Sequence, residues 1–110
     1  MTNNDKTSQN SIHLTVRFFA TLKEITKQRE IKIELQKETT IKQVLESLFD
    51  QYESLREEIF TEDNEPREWI QILKNGRNIK FLDGIQTKLD NGDVLAVFPP
   101  VAGGEKRFEW

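Results

Sequence analysis

Apolar and polar residues alternate in some stretches of the chain and recur every three to four residues in others. The switch between these two periods lays out the elements. Ile12-His13-Leu14-Thr15-Val16-Arg17-Phe18 alternates, which puts Ile12, Leu14, Val16 and Phe18 on one face of a half-buried strand. Glu30 to Leu35 alternates again, with Ile31, Ile33 and Leu35 on one face. The two strands are expected to pair antiparallel through Phe19 to Ile25, read as a loop with a helical turn. At Thr40 the period changes. Ile41, Val44, Leu45, Leu48, Phe49 and Tyr52 fall at helical spacing, and Lys42, Gln43, Glu46, Ser47 and Asp50 take the solvent side. Thr40 with Gln43 fits a capping box, and Ser54 with Glu57 predicts the cap of a second, short helix carrying Leu55, Ile59 and Phe60.

Thr61 to Pro66 is acidic and turn-forming and reads as an exposed loop. Trp69 to Lys74 reads as a strand, Asn75-Gly76 as a two-residue hairpin turn, and Arg77 to Ile79 as a short return strand. Turns follow at Leu82-Asp83-Gly84-Ile85 and Leu89-Asp90-Asn91-Gly92-Asp93. Val94 to Phe98 is the last strand. It is apolar on both faces, as expected of a central strand or of one whose outer face meets a partner. Strand, strand, helix, strand, short strand, strand makes an α+β domain, a small mixed sheet with one main helix across it. The helix covers one face only. Phe19 and residues of the last strand, such as Leu95 or Val97, then fall on the other face, and an exposed apolar patch there marks an interface. Alternation alone leaves open whether Val94, Ala96 and Phe98 or Leu95 and Val97 face outward.

Composition narrows the chemistry. The 110 residues suffice for one small domain and not two. A net charge of -3 argues against a nucleic-acid partner. No apolar run approaches membrane-spanning length, and Met1 to Ser11 is polar, without the apolar core of a signal peptide. Residues 1–11 are therefore expected to be a disordered leader, and the protein to be cytoplasmic. With no Cys and the single His13 there is no thiol nucleophile and no basis for a thiolate or histidine metal site. Glu57-Glu58 and Glu62-Asp63 read as charged surface, His13 as a surface residue, and Asp83, Asp90 and Asp93 as turn residues. Gly103-Gly104 is no phosphate loop, because no helix start or Lys-Ser/Thr follows it. The chain is expected to have no catalytic site of its own and no bound cofactor.

The stretch Phe98-Pro99-Pro100-Val101-Ala102-Gly103-Gly104 follows the last strand directly. Pro99 and Pro100 lack a backbone N–H, so the strand cannot continue through them, and residues preceding proline are pushed to extended geometry. The chain is expected to leave the sheet at Phe98 as an extended strip whose tip, at Gly103-Gly104, carries no side-chain bulk. Such a tip suits insertion into a narrow pocket on another protein.

This stretch resembles the C-terminal signature of the MoaD/ThiS family of ubiquitin-like sulfur carriers, on the MoaD (molybdopterin synthase small subunit) side. Val16-Arg17-Phe18-Phe19-Ala20 with Leu22-Lys23-Glu24, Asn75-Gly76-Arg77-Asn78 and Leu89-Asp90-Asn91-Gly92-Asp93-Val94 agree with it in order, from about Ile12 to Gly104. The resemblance implies a β-grasp (ubiquitin-like) domain over residues 12–104, with the first and last strands parallel and adjacent in the middle of the sheet. It implies that Gly104 carries an adenylate and then a thiocarboxylate. Phe98, Pro99, Pro100, Val101, Ala102 and Gly103 would form the partner-binding tail. It implies a MoeB-like adenylating enzyme that uses ATP and a MoaE-like molybdopterin synthase large subunit. The chain departs from the family in one respect: Glu105-Lys106-Arg107-Phe108-Glu109-Trp110 follow Gly104, which has no free carboxylate as written. A propeptide removed by a processing protease, a permanent extension on a member that kept only binding, and an artefact are the three readings; the propeptide is favoured. The alternatives to molybdopterin synthesis are a ubiquitin-like modifier joined through Gly104 to target lysines, a carrier for thiamine, cysteine or tRNA thiolation, and a structural binding module.

Overall fold

The computed structural model describes residues 10–99. Of the expected leader, residues 1–9 lie outside the described residues, as does the stretch from Pro100 to Trp110, whereas Ser11 is no leader residue: it begins the first strand, paired with Gln36. Five strands form one mixed sheet: β1 Ser11–Phe18, β2 Glu30–Gln36, β3 Gln71–Lys74, β4 Arg77–Asn78 and β5 Val94–Phe98. Among the described residues three helices accompany them: α1 Thr21–Thr26, α2 Ile41–Gln51 and α3 Glu53–Ile59. The strand order is β2-β1-β5-β3-β4. β1 and β2 pair antiparallel, with Leu14 opposite Ile33 and Val16 opposite Ile31. β1 and β5 are parallel neighbours in the middle, as the resemblance implied.

Alternation in β1 sends Ile12, Leu14, Val16 and Phe18 inward, and all four are buried. They meet the α2 stripe, of which Ile41, Val44, Leu45, Leu48 and Phe49 are buried. α2 starts where expected. Thr40 Oγ1 accepts from the Gln43 backbone N–H at 3.2 Å, and Gln43 Oε1 accepts from the Thr40 N–H at 2.9 Å. This reciprocal cap contributes about 1 kcal/mol. Backbone bonds join the loops beside it, from the Ile41 N–H to the Thr87 carbonyl at 3.0 Å and from the Leu89 N–H to the Thr39 carbonyl at 2.9 Å, and on the surface Lys88 donates to Glu38 at 3.0 Å. That hydrogen bond, and then the Lys88 charge, hold the Glu38 carboxyl below its ordinary pKa.

Three expectations need correction. Ser54 does not cap α3: the helix restarts at Glu53 immediately after Tyr52, which ends α2 and occupies the cap position itself, and no side-chain cap bond forms. The third strand begins at Gln71 and not at Trp69, because the Ile70 N–H donates to the Arg67 carbonyl at 3.0 Å and holds 67–70 as a turn. The return strand is only Arg77–Asn78. At Ile79 the chain tightens into a 3₁₀ turn, Ile79–Phe81, whose start is capped by Asn78 Oδ1 accepting from the Lys80 N–H at 2.9 Å. The hairpin turn itself is as read, with Asn75 at φ 51° and Gly76 at φ 87°. Both angles are positive, as the two-residue hairpin turn favoured by Asn-Gly requires.

Leu48 has no exposed surface and faces the sheet. Leu48→Asp would bury a carboxylate with no partner, so it is expected to cost more than about 4 kcal/mol. Urea denaturation followed by circular dichroism should find the variant unfolded, or nearly so, in the absence of denaturant.

Candidate functional site

The site is built on the end of β5, the strand from which the Gly-Gly tail leaves. β5 is held on both edges. Thr15 to Phe18 of β1 pair with Val94 to Val97 in parallel, and Gln71 to Lys74 of β3 pair antiparallel with Phe98 to Leu95. Its entry is fixed as firmly. Asn75 Nδ2 donates to Asp93 Oδ1 at 2.8 Å, the Val94 N–H donates to Asn75 Oδ1 at 2.9 Å, and the Asp90 N–H donates to Asp93 Oδ2 at 2.7 Å. Asn91 Oδ1 accepts from the His13 N–H at 2.7 Å, which ties the same turn to β1. Asp90 and Asp93 thus serve turn chemistry, as expected. Among the described residues no group of three or more His, Asp or Glu is arranged to hold a metal ion.

The register settles which face of β5 looks outward. Leu95 and Val97 are fully buried against the core, so the expectation that they contribute to an exposed patch is overturned. Val94, Ala96 and Phe98 lie half-buried on the opposite face. The cause is the pairing with β1, which sets Leu95 beside inward-pointing Val16 and Ala96 beside outward-pointing Arg17. Leu73, opposite Ala96 on β3, joins the outer face and is also half-buried. Sequence reading missed Leu73, although it sits one residue from buried Ile72 and must therefore face the other way. Along the β1–β2 side the apolar strip is bordered by charge. Arg17 and Glu30 lie 3.6 Å apart, and His13 and Glu34 3.7 Å apart. His13 is exposed, as expected.

At the exit itself the rings of Phe19 and Phe98 stack, with centroids 4.2 Å apart and planes 11° from parallel. Phe98 is the last residue of β5, and Pro99 after it is buried. The tail therefore starts from a braced point. Pro100, Val101, Ala102, Gly103 and Gly104 lie outside the described residues. Glu57, Glu58, Glu62 and Asp63 are exposed on α3 and the loop beyond it, well separated in the chain from β5.

Comparison with known proteins decides the family. The chain matches the ThiS family over residues 16–104, from the middle of β1 to the second glycine of the tail. The chain belongs to the ThiS family of ubiquitin-like sulfur carriers. It is 43% identical over 93 residues to small archaeal modifier protein 3 of Haloferax volcanii, an alignment that covers 84% of this chain and all of the relative. The solution structure of small archaeal modifier protein 1 from Methanosarcina acetivorans superposes with a TM-score of 0.74 at 33% identity, covering 86% of this chain and 98% of that one. A structure titled "Putative molybdopterin converting factor, subunit 1" from Pyrococcus furiosus gives a TM-score of 0.67 at 29% identity, covering 82% and 99%. The ubiquitin-like β-grasp fold that the tail signature implied is thereby established for this ThiS-family domain.

If the stack braces the exit, Phe19→Ala should loosen the end of β5 without unfolding the domain. Loss of the ring pair and of half-buried apolar area is expected to cost about 1–2 kcal/mol. Amide hydrogen exchange should quicken at Val97 and Phe98 and stay unchanged in β2.

Proposed function

We propose that this protein is a carrier that works through the carboxyl group of Gly104, freed by hydrolysis of the Gly104–Glu105 bond. Water adds across that amide, giving a Gly104 carboxylate and a new ammonium group on Glu105. A carboxylate is a poor electrophile. An adenylating partner overcomes this by letting the carboxylate oxygen attack the α-phosphorus of ATP, with pyrophosphate leaving. The acyl adenylate that results has AMP as a good leaving group. A hydrosulfide attacking its carbonyl carbon expels AMP, loses its proton and leaves a thiocarboxylate. A lysine amine attacking the same carbon expels AMP, loses a proton and leaves an isopeptide bond. The carrier contributes a slim tether on a rigid strand, and partners contribute the catalysis.

The observation that carries this reading is the braced exit: β5 is paired on both edges and Phe98 is stacked on Phe19 next to buried Pro99, at the base of a segment ending in Gly103-Gly104. The half-buried outer face formed by Phe19, Leu73, Val94, Ala96 and Phe98 adjoins that exit and suits the adenylating partner, because docking there would aim the tail into its active site.

The acceptor is a separate question. The relative matched over its whole length is named a modifier, which favours conjugation of Gly104 to protein lysines. The likeness to a structure titled as a molybdopterin converting factor subunit favours sulfur transfer to a pterin precursor, with a MoaE-like subunit as partner. Conjugation is the reading we adopt, and it departs from the molybdopterin expectation of the sequence. The segments that carried that expectation serve the fold and the activation step, which both uses share.

A digest distinguishes them. Lys88 is the last Lys or Arg before Gly104, so trypsin should leave residues 89–104 attached to a modified lysine. Conjugation predicts this remnant on lysines of cellular proteins and its loss in Gly104→Ala. Absence of the remnant, with a species bearing sulfur in place of one carboxyl oxygen of Gly104, would overturn conjugation in favour of sulfur transfer.

A further inference from the structure

A cleft of about 360 Å³ opens away from the outer sheet face, between the loop before β3 and the 3₁₀ turns after β4. Its floor is made by Ile70, Ile72, Ile79 and Ile85. Glu65, Arg67 and Glu68 lie on one lining segment, where Arg67 Nε donates to the Glu57 carbonyl at 2.7 Å, and Lys80 lies on the other. Among the described residues Glu65, Glu68 and Lys80 have no ion-pair partner. The two large apolar side chains left exposed among the described residues adjoin this cleft in sequence. Trp69, 54% exposed, sits between lining residues Glu68 and Ile70, and Phe81, 80% exposed, follows lining residue Lys80. The mechanism proposed above uses none of these groups.

We infer that the occupant of this cleft is the chain's own segment beyond the glycines, with Phe108 and Trp110 seated over the isoleucine floor. Three observations support it. The first is position. Ile72, a floor residue, pairs with Val97 on β5, and Gln71 pairs with Phe98, so the chain leaves the sheet beside the cleft wall. Pro99 is buried and starts the tail against the body of the domain. The second is length. Ten positions separate Phe98 from Phe108, a reach of up to about 33 Å at roughly 3.3 Å per residue. A tether of this length holds its end near the cleft at an effective concentration on the order of millimolar, so docking too weak to detect between separate molecules still fills the cleft within one. The third is charge. Lys106-Arg107 directly precede Phe108 and complement Glu65 and Glu68, while Glu105 and Glu109 complement Lys80. The sequence Lys-Arg-Phe-Glu-Trp thus offers aromatic groups to an apolar floor and both charge signs to a rim that has both. Removing 105–110 would then do two things: free the Gly104 carboxyl and uncover an apolar cleft. The second surface would be available only in the processed carrier. This goes beyond the carrier reading and does not depend on which acceptor Gly104 serves.

Isoleucine methyl NMR on the full chain tests the docking without any activity. Phe108→Ala with Trp110→Ala should move the methyl resonances of Ile70, Ile72, Ile79 and Ile85 and leave Ile31 and Ile33 of β2 in place. Ile85→Lys in the otherwise intact chain should shift the Ile70 and Ile79 methyls in the same sense, by expelling the aromatic rings. The wild-type positions should not change on tenfold dilution. Cleft methyls that ignore the double substitution would overturn the inference. Shifts that fade on dilution would overturn it too, because the occupant would then be the tail of a second copy.

Discussion

The parallel pairing of β1 with β5 is the constraint on which the rest depends. It joins the beginning of the domain to its end through the middle of the sheet. It also fixes in one step which side chains of β5 face α2 and which face outward. Leu95 and Val97 complete the core with Val16 and Phe18, while Ala96 and Phe98 remain on the open face. A one-residue slip would exchange those sets, burying Phe98 and exposing two aliphatic side chains. The cluster of Asn75, Asp93, Asp90 and Asn91 sits where it can prevent such a slip. Its side chains tie the hairpin turn and β1 to the residues that enter β5.

This arrangement separates rigidity from reactivity. The reactive group of a carrier must travel between partners, so it belongs on a thin tether, yet the tether must leave from a defined point. The paired edges of β5, the Phe19–Phe98 stack and buried Pro99 supply that point. On the proposed carrier function, acid–base chemistry within the chain would not be needed, because activation of the carboxylate would take place at a partner's nucleotide site. The charged residues of α3 and its loop are then understandable as surface: Arg56 bonds to Glu46 at 2.6 Å and lies 4.9 Å from the centre of the Phe49 ring, bracing α3 against α2.

Elements whose period was long and clean were legible from the sequence. β1, β2, α2 and β5 fall where alternation, helical spacing and the Thr40–Gln43 pair put them. Legibility failed where local hydrogen bonding outweighed composition. Trp69 and Ile70 look like strand residues, but a turn bonded from Ile70 to Arg67 keeps them out of the sheet. Ile79 looks like a strand residue, but the cap at Asn78 starts a 3₁₀ turn. The outward face of β5 was illegible in principle, because both its faces are apolar and only the register with β1 separates them. The end of β5 at Phe98 was legible, since the prolines that follow cannot continue a strand, while Pro100 to Gly104 lie outside the described residues. The acceptor of a Gly104 adenylate was not, because lysine and sulfur nucleophiles attack the same carbonyl carbon.

The central claim is that the protein acts through Gly104 at the end of a tether braced by β5. The most direct test is the intact mass of the protein recovered from its own cells. The expected species is a chain ending at Gly104, free or activated, with residues 105–110 removed. A population that retains Trp110 throughout, in cells where the protein is at work, would contradict it.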